Sequence, residues 1–191
     1  MAKMRKPIPP EAKLVFKGKI FDVFQWEQKM FDGSVKTFER LRRPDTVQVF
    51  AVEDDMVLLV EERQPDTDTY VSLPSGRMED GEDPLEACKR ELLEETGYSS
   101  DQWELLCTED PVGKMDWTIH TYIARNCKKT QEPKLDGGEE ISVYPVSFDR
   151  LISLAEEDVL RVGGLKELLL RAHFDPEDRD EFKRMLFGSH E

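Results

Sequence analysis

The stretch from Asp83 to Gly97 constrains this chain more than any other. Asp83-Pro84-Leu85-Glu86 carries three helix-start signals: an aspartate able to cap orphan amides, a proline suited to the first turn, and a glutamate placed to complete a capping box. Gly97 supplies a left-handed stop. A helix over about Pro84–Thr96 follows, with Leu85, Cys88 and Leu92 on its buried stripe. Its charges are awkward. From Glu79 to Glu95 the segment holds eight carboxylates against only Lys89 and Arg90. At about 100° per residue, Glu91, Glu94 and Glu95 share one arc of the surface. Like charges at i,i+3 or i,i+4 cost about 0.2–0.5 kcal/mol per pair, and late acidic residues oppose the helix dipole. Two readings stand side by side: a solvated face, or carboxylates converging on a hard cation such as Mg²⁺, which serves phosphate chemistry. Conflict with local rules inside an otherwise well-capped helix is where function is expected.

The rest of the chain narrows the setting. Its 191 residues suit one domain, or one domain with an appendage, and 38% apolar with 36% charged residues fits a soluble globular protein. Runs such as Met56–Val60 are far too short to cross a bilayer. The N-terminal MAKMRKPIPPEAK is basic but lacks the apolar stretch of a secretory signal. Cys88, Cys107 and Cys127 are widely spaced and odd in number. They speak against a disulfide framework or a zinc site and for a reducing, cytoplasmic location. A net charge of −14 disfavours nucleic acid as the main partner. It still permits an anionic small substrate if a metal ion bridges the two negative partners.

Strand patterns come early and helices late. Phe21–Trp26 and Val35–Leu41 flank an Asp32-Gly33 turn, and Val47–Val52 and Met56–Val60 form a second pair. Tyr70–Leu73, Leu105–Cys107, Trp117–Ala124 and Ile141–Pro145 add further strands. Helices are expected over Phe148–Glu156, Gly164–His173 and from Pro176 onward. The pattern is that of a mixed α/β domain, with the N-terminal hairpins as a possible separate small sheet.

Gly76, Glu82, Arg90-Glu91-Leu92, Glu94-Glu95 and Gly97-Tyr98, at these intervals, resemble the box that defines the Nudix family. Only the final aliphatic place departs, holding Tyr98. The resemblance implies an α/β/α sandwich with a mixed central sheet plus a small N-terminal antiparallel β-sheet. It also implies hydrolysis of a nucleoside diphosphate linked to another group, with Mg²⁺ or Mn²⁺ as cofactor. By similarity Glu91 and Glu95 would be the principal metal ligands, with Glu94 a third or water-mediated one and also a catalytic candidate. The backbone carbonyl of Ser75 would face a metal. Glu82 and Arg90 would support the loop by ion pairing, and Gly76 and Gly97 would be conformational.

The flanks resemble the ADP-ribose and nucleotide-sugar pyrophosphatase branch: Lys19–Phe24, Phe31-Asp32-Gly33, Phe38-Glu39-Arg40, Val57–Arg63 and Leu73–Gly76. That branch implies residues 1–43 as a dimerising, base-binding hairpin region before a hydrolase domain over 44–191, and hence a homodimer. Trp26 and Phe31 are the candidates to sandwich the base. Arg63, with Arg42 or Arg43, suits the diphosphate because guanidinium matches phosphate oxygens bidentately. Lys114 lies in a loop able to reach the site. His120 reads as an ordinary strand residue. The box carboxylates being committed to metal, a further base is wanted, and the segment Lys134–Val143 offers Asp136, Glu139 and Glu140 beside a mobile Gly-Gly pair. Glu140 is favoured, with Glu139 close behind. The expected substrate is ADP-ribose, GDP-mannose or a similar nucleoside diphosphate sugar. Dinucleoside polyphosphates, capped RNA ends and a non-catalytic nucleotide-sensing module are the alternatives.

Overall fold

The computed structural model describes residues 6–65, 67–135, 137, 138, 140–157 and 159–188. Its centre is β4 (Thr46–Glu53), buried without a break from Val47 to Val52. Continuous burial in a strand means that both faces are covered, since alternate side chains point to opposite sides. Val47, Val49 and Ala51, with Leu58, pack against Ala87, Cys88 and Leu92 of α1 (Pro84–Thr96). On the other face Phe50, Val52, Val57 and Leu59 join a larger cluster with α2 (Phe148–Ser153), α3 (Lys166–Phe174) and α4 (Pro176–Phe187). The architecture is therefore helix, sheet, helix, as the Nudix resemblance implies.

The central sheet runs β14 (Leu160–Arg161), β6 (Tyr70–Ser72), β5 (Met56–Arg63), β4, β11 (Ile119–Arg125), β9 (Gln102–Glu109). β4 and β11 are parallel, β9 and β11 antiparallel, so the sheet is mixed. Two strands divide an edge. The start of β5 pairs with the end of β4, while Val60–Glu62 pairs with β6, and β13 (Glu140–Ser147) covers the opposite edge of β5. The freed first half of β4 is taken by β7 (Ser75–Arg77). That wedge carries the box glycine under α1.

A second sheet holds β1 (Lys13–Lys17), β2 (Asp22–Lys29) and β3 (Val35–Arg42) in antiparallel order. Its hairpin turn is closed by Asp32 Oδ1, which accepts from the Ser34 amide at 2.9 Å, and by Gly33 at φ 85°. A two-residue strand, β10 (Met115–Asp116), joins in parallel to β3. The strand expected over Trp117–Ala124 accordingly begins later, at Ile119. Residues 114–116 cross to the second sheet, where the carbonyls of Lys114 and Asp116 accept from Leu41 and Arg43 amides at 3.2 Å each, while Thr118 already faces Thr46 and accepts from its amide at 2.9 Å.

The helix ends reveal similar local adjustments. Asp83 caps α1 through Leu85 and Glu86 amides at 2.9 and 3.4 Å, and Gly97 ends it at φ 76°. Glu86 does not complete a capping box; it turns to Lys89 Nζ at 2.7 Å. The segment 148–156 is α-helical only to Ser153 and tightens to a 3₁₀ turn over Leu154–Glu156. Among the described residues no helix is long and apolar enough to cross a membrane.

Candidate active site

β7 runs antiparallel to the start of β4, with Gly76 opposite Val47 and Ser75 opposite Gln48. Val47 faces α1, so Gly76 does too. A Cβ on Gly76 would lie 2.0 Å from the Glu91 carboxyl carbon; only glycine leaves room for that carboxylate against the loop. One turn on, Glu95 is 9% exposed and accepts the Ser75 amide at 2.9 Å. Two carboxylates thus flank one dipeptide.

Arg90 organises the remaining charge. Its Nε and Nη2 donate to the two Glu82 oxygens at 2.9 Å each, while Nη1 donates to Glu91 at 2.7 Å and to Glu94 at 3.2 Å. Nη2 also reaches the Arg77 carbonyl at 3.1 Å. One guanidinium therefore gathers three carboxylates and pins the loop, which offsets the repulsion expected from the sequence. The Glu82 bond above all, then Glu91 and Glu94, hold Arg90 above its usual range. Glu82, bonded to Arg90 and to the Glu79 amide at 2.8 Å, is held below the ordinary carboxylate range.

No three acidic, His or Cys side chains among the described residues converge as a closed metal cage. Arg90 draws Glu91 and Glu94 to one side, and Ser75 N–H holds Glu95. The residues nonetheless fit a hard divalent cation. Glu91 and Glu95 present carboxylate oxygens on either side of a glycine-opened backbone, the oxygen-donor chemistry such ions take.

The other candidates divide. Arg63 and Glu140 meet at 3.6 Å, both well exposed, and both line two adjoining cavities of about 290 and 310 Å³. Strand alternation sets Glu140 on the face of Tyr144, which packs with the C-terminal helices, opposite Val143, which packs toward α1. Glu139 and Asp136 lie outside the described residues. Arg42 bonds Asp116 at 3.0 Å and covers Phe24. Trp26 is buried mid-strand beside Phe38, whereas Phe31 stands fully exposed at the hairpin tip. Lys114 is exposed and contributes its carbonyl to β3. His120 is half-buried, its Nδ1 3.5 Å from Thr108 Oγ1.

One polar cluster escaped the sequence reading. Glu62 is 7% exposed, accepts from Gln64 Nε2 at 2.6 Å, and is paired across the strands with Tyr70. Burial, then the bond to Glu62, pushes the Tyr70 hydroxyl above its usual range, and Arg161 stacks 3.9 Å over its ring. Register was the available signal: Glu62 continues the side of the strand that carries Leu58 and Val60. Three charged residues in a row, Glu61-Glu62-Arg63, give no alternation of apolar and polar side chains by which to see it.

A curled mixed sheet clasped by helices, with a glycine loop wedged under a carboxylate-bearing helix, defines a class, and comparison agrees. The NUDIX domain model matches residues 42–165, and the chain belongs to the Nudix family as a hydrolase acting on pyrophosphate bonds. It is 29% identical over 161 residues to a methanol dehydrogenase activator of Bacillus methanolicus, covering 82% of this chain and 87% of that one. It is likewise 29% identical over 146 residues to an ADP-ribose pyrophosphatase of Bacillus subtilis, covering 74% and 79%. A crystal structure of an ADP compounds hydrolase superposes with a TM-score of 0.71 at 19% identity, over 94% of this chain and 100% of that one.

Proposed function

We propose that this protein hydrolyses the pyrophosphate bond of ADP-ribose or a similar nucleoside diphosphate sugar, with Mg²⁺ or Mn²⁺ bound, to a nucleoside monophosphate and a sugar phosphate. The observation that carries the reading is the Ser75–Gly76 dipeptide flanked by Glu95 and Glu91. The similarity to an ADP-ribose pyrophosphatase supports the substrate class. Glu91, Glu95 and the Ser75 carbonyl would hold the ion, with Glu94 as a further or water-mediated ligand. When bound, a divalent ion supplies Lewis-acid charge and a more acidic water. The chain's own part is to fix geometry: Arg90 holds the loop and the glutamates in register, and Arg63, with Arg42, binds the diphosphate. Glu140 or Glu139, beside Gly137-Gly138, accepts the proton of the attacking water.

Residues 1–43 are read as the dimerising, base-binding part and 44–191 as the hydrolase domain. Leu14, Val15, Phe16, Phe31 and Val35 are exposed on the second sheet. A homodimer would cover such a surface and set Phe31 of one copy beside the other's site. The cysteines, free in the structure, support a cytoplasmic location. A panel of ADP-ribose, GDP-mannose, dinucleoside polyphosphates and capped RNA with Mg²⁺, products resolved by chromatography, tests the reading. Release of AMP and ribose phosphate from ADP-ribose is expected. Turnover of only the polyphosphates or capped RNA would overturn it.

A further inference from the structure

A chain with 41 acidic and 27 basic residues has carboxylates to offer most arginines. Arg42, Arg90, Arg125, Arg150, Arg171 and Arg179 each hold one. Arg43 and Arg77 form no ion pair with a described carboxylate, although they stand close enough for their charges to oppose one another. Burial first, and Arg77 second, lower the Arg43 pKa. Arg43 Nε is buried with no hydrogen-bond partner among the described residues. Asp45, the nearest acid along the chain, bonds the Thr118 amide through Oδ1 at 2.7 Å. Two cations left together in so acidic a protein cost stability unless an anion joins them.

The pair is built into the fold. The Arg43 guanidinium sits 4.5 Å from the Trp117 ring centroid and 5.8 Å from that of Phe21. Such stacking orients the plane while leaving its edge available for hydrogen bonds. Trp117 is tied by Nε1 to Thr46 Oγ1 at 2.9 Å, and Thr46 is the cross-strand partner of Arg77. Gly76 and Val47 face α1; by alternation their neighbours Arg77 and Thr46 face the other way. The β7 backbone thus separates this pair from Glu91.

We propose that Arg43 and Arg77 form an anion site, distinct from the box carboxylates, that takes a phosphoryl group. A phosphate matches forked guanidinium donors and needs no metal there. It has two sources: a phosphomonoester carried by the substrate in addition to its diphosphate, or free phosphate acting as an effector. Only the first source rests on the pyrophosphatase reading above.

The test begins with calorimetric titration of inorganic phosphate into the full chain in EDTA, comparing wild type with Arg77→Ala. Arg77 is exposed, so this variant should keep its fold, which circular dichroism checks. Binding in wild type and at least tenfold weaker binding in Arg77→Ala is expected. No binding in wild type, or equal binding in both, overturns the proposal. The second arm compares KM for ADP-ribose and for ADP-ribose bearing an extra phosphomonoester on its ribose. A KM at least tenfold lower for the phosphorylated compound, equalised in Arg77→Ala, identifies the substrate as the source. Equal KM values, with phosphate altering ADP-ribose turnover in wild type and not in Arg77→Ala, identify an effector. Phosphate binding without hydrolysis of either compound would sink the pyrophosphatase reading and leave the anion site standing.

Discussion

In the box, Arg90 alone reaches Glu82, Glu91, Glu94 and a loop carbonyl, and α1 is capped at both ends within the same stretch of chain. The second sheet has strands as long, yet Leu14, Val15, Phe16 and Val35 stand between 47% and 61% exposed. One region is completed by its own sequence neighbours; the other presents apolar surface that the described residues leave open. The partnered polar groups form the site proposed to hold the ligand, whereas the row of exposed apolar side chains is the surface proposed for assembly. The difference separates where the chemistry is held from where assembly would occur.

Breaking the box should have the largest effect. Glu95→Gln keeps an oxygen for the Ser75 amide and removes the charge. Turnover should fall by more than the roughly 10–100-fold that loss of an outer partner costs a metal site, with the melting temperature little changed. Near-normal turnover would remove Glu95 from the ligand set. Gly76→Ala comes next, because its methyl would overlap the Glu91 carboxyl. We expect roughly tenfold or greater loss of activity and destabilisation of about 1–3 kcal/mol, measured by urea unfolding; an unaffected variant would show the approach to be loose.

The second sheet should respond in association and not in chemistry. Leu14→Ser with Phe16→Ser should halve the mass measured by light scattering and leave the unfolding free energy of the isolated chain, measured in urea, within about 0.5 kcal/mol. An unchanged mass would break the contrast drawn between the two regions. The smallest effect concerns pH. Arg90 lowers the folded pKa of Glu82, so this pair stabilises the protein above the unfolded value of about 4.3. That stability is lost as pH falls through the lower folded value. Glu82→Gln should therefore flatten the acid limb of the urea-midpoint profile below about pH 4.3, and an identical limb would mean that the pair contributes little.

Much of the site was legible because its signals are local. Asp83, Pro84 and Gly97 bound α1 within one short segment, and the box spacing follows from a single helix and its entry loop. The capping-box role of Glu86 failed for an equally local reason, the competing Lys89 ammonium. Glu62 was missed because its burial depends on Tyr70 and Gln64 across the strand end. Trp117 has the apolar neighbours of a strand residue, yet it lies just after residues 114–116, which are drawn across to β3, and just before β11 begins at Ile119.

By itself the sequence determined the helix, its caps, the clustered carboxylates and the family they mark, since each depends on residues a few positions apart. Tertiary structure alone decided that β7 wedges beside β4, that Gly76 lies under Glu91, and that Arg43 and Arg77 share a neighbourhood. Those depend on which strand takes the free half of an edge, a choice made by backbone pairing and core packing between segments remote along the chain.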